Sequence, residues 1–128
     1  MLKTTSEGAL MQQRNMQQGS THVQSKIVVD DSCLALQENL QRADYAVFQR
    51  GCSRLLKSPE KAVTIDLRHC TYVSSLFIGM LVDAVTEMKM QGKEVTVYVS
   101  PEVGRFLHMA HLYHIFAYTV VDTDTDQV

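Results

Sequence analysis

Asp66, His69, Cys70, Ser74 and Ser75 fall in one short stretch and supply the residue types of a nucleophile, a base and an orienting acid. A serine hydrolase built here would need a strained turn to lift the nucleophile, and the stretch has no Gly-x-Ser-x-Gly elbow. Nor is there a glycine-rich loop to cradle a nucleotide phosphate. Asp66 closes an apolar run, where a carboxylate commonly bonds nearby backbone. The reading is therefore no catalytic residue. His108, His111 and His114 recur every third position, a spacing that would converge on a metal only along one continuous helix. This run crosses a helix end, so neither metal nor cofactor is expected. Ser74 and Ser75 have a sharper chemistry. They stand just before a helical pattern, where unpaired backbone N–H groups and the helix dipole favour an oxygen or a phosphate. The plainer role for either is simply the cap of that helix.

The elements that position this stretch follow from hydrophobic spacing. Residues 26–29 and 33–36 are apolar runs flanking Asp30-Asp31-Ser32, which predicts a hairpin. Helical spacing runs from Ala43 to Lys57, ahead of Pro59. Residues 62–67 alternate as a strand. Helical spacing returns from Ser75 to Met90 through Phe77, Met80, Leu81, Ala84 and Met88, and Gly92 ends it. Residues 93–99 form the next strand. Ser100-Pro101-Glu102 combines a hydroxyl cap, a first-turn proline and an acid near the positive helix end, so a helix starts there and runs to about Ala110. A final strand is predicted from Ile115 to Val121. The order β-β-α-β-α-β-α-β calls for an α/β fold with a mixed sheet of four to five strands and right-handed crossover helices.

Residues 1–22 are rich in Gln, Met, Ser, Thr and Asn and read as a flexible tail, with a partner-ordered helix from Leu10 to Gln18 as the alternative. The folded domain spans 23–122, and 123–128 is an acidic, flexible end. The chain has 128 residues, 45% hydrophobic and 20% charged, with a net charge of -2. Lys+Arg 12 against Asp+Glu 14, with no basic block, argues against nucleic acid as a partner. No apolar run approaches the roughly 20 residues of a membrane span, so direct membrane insertion is not expected. Three widely spaced cysteines and no secretory leader point to a reducing, cytoplasmic setting. Beside the serines, Leu76 and Phe77 occupy the first helical turn, and an apolar first turn facing solvent would mark a partner site.

At this loop the sequence resembles the STAS family, the sulfate-transporter and anti-sigma-factor-antagonist domains, over nearly all of residues 25–121. The likeness rests on Val63-Thr64-Ile65-Asp66-Leu67, on Thr71-Tyr72-Val73-Ser74-Ser75-Leu76-Phe77-Ile78-Gly79, on Gln91-Gly92-Lys93-Glu94-Val95, and on Pro101 to Leu107 with Leu112 to Phe116 behind it. Aligned on Tyr72 and Gly79, Ser74 stands where the family usually has Asp and Ser75 matches the first family serine. Leu76 replaces the usual phosphoacceptor and Phe77 replaces Gly, so the resemblance leaves Ser74 and Ser75 as the candidate phosphoacceptors.

The resemblance implies a STAS-like fold and a non-catalytic protein-interaction switch or adaptor acting in transcription regulation, released by phosphorylation at this helix start. It places Tyr72, Ser74, Ser75, Leu76, Phe77 and Met80 at the partner-binding surface. The implied partner is an anti-sigma factor with serine-kinase activity. The alternatives are a phosphorylation-independent adaptor of an ABC-type transport complex, whose partner is a transport ATPase, and a small-ligand sensor.

Overall fold

The hairpin, the crossovers and the helix caps read from the sequence assemble in the computed structural model, which describes residues 22–23 and 26–122, into one sheet with one helical layer. Strand β1 is His22–Val23, β2 Ile27–Val29 and β3 Cys33–Leu36; helix α1 is Tyr45–Lys57. Strand β4 is Ala62–Leu67, α2 Ser75–Met90, β5 Glu94–Val99, α3 Pro101–Met109 and β6 Thr119–Val120. Of the expected 1–22 tail, residues 1–21 lie outside the described residues, as does the 123–128 end, while His22 belongs to β1.

The sheet order is β1-β2-β3-β4-β5-β6. β1, β2 and β3 pair antiparallel, and β3 through β6 pair parallel. The sheet is mixed, as expected, and its sixth strand is the short edge β1. The hairpin turn forms because Asp30 Oδ1 accepts the backbone N–H groups of Ser32 and Cys33, both at 2.9 Å. Those bonds, the Ser32 amide foremost, hold the Asp30 carboxyl below the usual carboxylate range.

All three helices lie on one face. Val63, Ile65 and Leu67 of β4 and Val97 and Val99 of β5 point into the buried layer with Phe48, Leu55, Leu81, Val85, Met88 and Leu107. Gly51 of α1 sits so close to β3 that a Cβ there would meet Leu34 Cδ1 at 2.6 Å. The alternate residues, including Thr64, Asp66 and Tyr98, face the other side, which no helix covers among the described residues.

α1 begins at Tyr45 rather than Ala43 because Arg42–Asp44 winds as a 3₁₀ turn. The Lys26 ammonium donates to Asp44 Oδ2 at 2.9 Å and, as the main cause, keeps that carboxyl below its ordinary range. α2 and β4 fall at the expected residues. α2 ends as expected at Gly92, whose φ of 86° lets the amides of Gly92 and Lys93 turn back to Lys89 O and Met88 O. The last strand is shorter than the expected 115–121. His111 adopts φ 61°, Leu112–His114 coils as a second 3₁₀ turn, and Phe116 folds into the core, so only Thr119–Val120 reaches the sheet.

Candidate functional site

The loop from Arg68 to Ser74 leaves the carboxyl end of β4, the position in an open α/β sheet where partners and ligands gather. It is held from three sides. Asn39, in the β3–α1 connection, accepts the amides of Thr71 (2.8 Å) and Tyr72 (3.2 Å) through Oδ1 and donates to Thr71 Oγ1. Ser100, the α3 cap, accepts the Val103 amide and donates its hydroxyl to the Cys70 carbonyl. From α1, the Tyr45 hydroxyl meets Ser74 Oγ at 2.6 Å.

Ser74 is the N-cap of α2. Its Oγ accepts the Phe77 amide at 3.0 Å, with Ser74 itself extended at φ -89° and ψ 163°. Ser75, one residue on, is exposed at the positive end of the helix. The two serines named by the sequence therefore have different situations: one is built into the frame, the other is open.

Of the apolar candidates, Tyr72 is 67% exposed and Leu76 50% exposed, while Met80 is half-buried one turn on. Phe77 is only 2% exposed. Its ring packs at 4.7 Å from Phe48 and 5.9 Å from Tyr45, joining α2 to α1. Phe77 therefore presents no ring to a partner. In this fold it is core, and burial of such a side chain stabilises by about 1.5–3 kcal/mol. The signal was available in the spacing of Phe77, Leu81, Val85 and Met88, all buried on one stripe. Sequence reasoning missed Asn39 and Tyr45, which act across long chain separations that no local pattern reports.

The arrangement does not assemble a catalytic triad. Asp66 and Ser75 belong to opposite sides of the sheet, because Asp66 points away from the helical layer that carries Ser75. The Asp66 carboxylate instead accepts from the Arg68 amide and, in a fork, from Arg68 Nε (3.0 Å) and Nη2 (2.9 Å), with the guanidinium over the Tyr98 ring. His69 is exposed. Burial pushes the Cys70 thiol up to about 12, which removes the thiolate a nucleophile needs. His108 stacks on Tyr113 at 4.9 Å and His114 meets the same ring at a tilt, 4.2 Å between centroids, and no group of three ligating side chains among the described residues is placed to hold a metal. No described helix is long and apolar enough to cross a membrane.

A family profile described as Mlab, STAS domain, matches residues 22–121, and no curated protein matches the chain. Domains of this family are generally non-catalytic and mediate protein–protein interaction. With a mixed sheet, crossover helices and a capped serine loop at the carboxyl end of β4, and with the profile spanning the whole described fold, the chain belongs to the STAS domain family.

Proposed function

We propose that the protein is a cytoplasmic, phosphorylation-independent adaptor that binds a protein partner through Tyr72, Ser75, Leu76 and Met80. The observation that carries this reading is Leu76. It occupies the position of the family's usual acceptor hydroxyl, cannot take phosphate, and stands half-exposed in the first turn of α2 beside the exposed Tyr72. Ser74 is a poor substitute acceptor, because its Oγ is already bonded to the Phe77 amide and to Tyr45. A constitutive contact suits a transport ATPase better than a kinase that must release its antagonist.

The test is Leu76→Asp, measured for binding to a candidate transport ATPase and to a candidate anti-sigma serine kinase. A carboxylate in the first turn is locally favourable to the helix, so circular dichroism and melting should stay near wild type. In the bound contact it would be an unpaired buried charge costing several kcal/mol, so affinity should fall by on the order of a hundredfold. Unchanged affinity would reject this surface. Stoichiometric phosphate on Ser75 after incubation with the kinase would reject the constitutive reading in favour of a switch moved to the open serine.

A further inference from the structure

We infer that the helical layer is a self-association face, on which α1 of one copy seats on α2 of a second copy about a two-fold axis. This stands apart from the partner reading above, since it concerns this chain alone.

The two helices have opposite charge. α1 contains no carboxylate, and its exposed ridge carries Arg50 and Lys57 among the small residues Ala46 and Ser53. The exposed ridge of α2 carries Asp83 and Glu87, with Leu76 at one end and Met90, 81% exposed, at the other. None of these four charged side chains forms an ion pair within its own chain among the described residues. The small Ala46 stands at the same end of α1 as the large Leu76 does of α2.

The register follows from contacts inside one chain. Tyr45 meets Ser74 at the two amino ends, while Ser53 and Leu56 share a groove with Ala84 and Glu87 near the carboxyl ends. The helices therefore run in the same direction at matched levels. An axis between them, along their length, carries α1 of the second copy over α2 of the first without changing level. Ala46 then lies above Leu76, Arg50 comes within side-chain reach of Asp83, and Lys57 within reach of Glu87. Each contact occurs twice, as an isologous interface requires.

Size sets the strength. Two helices of about four turns, roughly 20 Å long and packed 8–10 Å apart, offer about 400 Å² per copy, below the roughly 1,000 Å² in total that a stable interface buries. The association is therefore weak and salt-sensitive. It covers Leu76, so a self-associated chain cannot engage a partner through that residue.

Sedimentation tests this directly on the full chain. At about 0.05 M salt the mass should climb from one chain toward two as protein concentration rises, and in about 1 M salt, where screening shortens to roughly 3 Å, it should stay at one. Arg50→Glu alone and Asp83→Arg alone should each weaken association at least tenfold, with unchanged circular dichroism. Mixing the two single variants should restore it, because both cross-copy contacts are then of opposite charge. A wild type that sediments as one chain at every concentration would overturn the proposal and leave the face to other partners. Association that survives either single reversal, or a mixture that stays monomeric, would overturn the register.

Discussion

Tyr45 and Ser74, from different helices, share a 2.6 Å hydroxyl contact that ties the start of α1 to the cap of α2. The same Ser74 oxygen accepts the Phe77 amide, and the Phe77 ring packs against the Tyr45 ring. Cap, helix contact and core are thus one connected unit, and the exposed Leu76 is carried on it.

Removing each hydroxyl should give graded effects. Ser74→Ala loses the cap and leaves Tyr45 without its partner, which should lower stability by about 1–2 kcal/mol, or melting by roughly 4–8 °C. Tyr45→Phe keeps the ring packing and the cap, so it should cost about 0.5–1 kcal/mol. Thermal melts of the two variants and the double variant would check this. A double variant that costs the full sum of the singles would show that the two hydroxyls are not coupled.

The glycines of the helical layer should respond in opposite senses to alanine. At Gly51 a Cβ meets Leu34, a fully buried side chain with nowhere to move, so Gly51→Ala should destabilise by about 1–3 kcal/mol despite the better helix propensity. At Gly79 nothing lies within 4 Å, and Gly79→Ala should raise stability by about 0.5–1 kcal/mol. Urea titration measures both.

Alkaline pH should find the buried thiols. Burial raises Cys52 and Cys70 from an ordinary 9.0 to about 12, so the fold favours their protonated forms. Stability from these groups is complete below about pH 9 and falls between pH 9 and 12, as the unfolded chain ionises and the folded one does not. The decline should approach 1.4 kcal/mol per pH unit for each thiol. Urea midpoints at about pH 8 and about pH 10.5 should differ less in Cys52→Val than in wild type. An equal difference in the two proteins would show that Cys52 ionises as freely folded as unfolded.

Regular spacing made most of this architecture legible. β4 and α2 were readable to the residue because their apolar positions repeat cleanly over six and sixteen residues. β1 was not, since two residues cannot display a period and only their pairing with β2 defines them. The last strand was overextended because the apolar run from Ile115 to Val121 looks uniform in sequence. Its early part is turned by the left-handed His111 and drawn inward by Phe116. At the site, the serines were readable from their place before a helix. Their division into a bonded Ser74 and an open Ser75 depends on Tyr45, 29 residues away, and no local rule reports such a contact.

The bond from Ser100 to the Cys70 carbonyl has a consequence for synthesis. β4 pairs with β3 and β5 only through long crossovers, and loops of that length close slowly compared with a hairpin. A nascent chain can fold β2 and β3 early. Its Arg68–Ser74 loop, however, lacks one of its three braces until Ser100 has left the ribosome. Bracing of this loop is thereby deferred until α3 has been made, and a polypeptide truncated before α3 would hold the Cys70 carbonyl without its Ser100 partner.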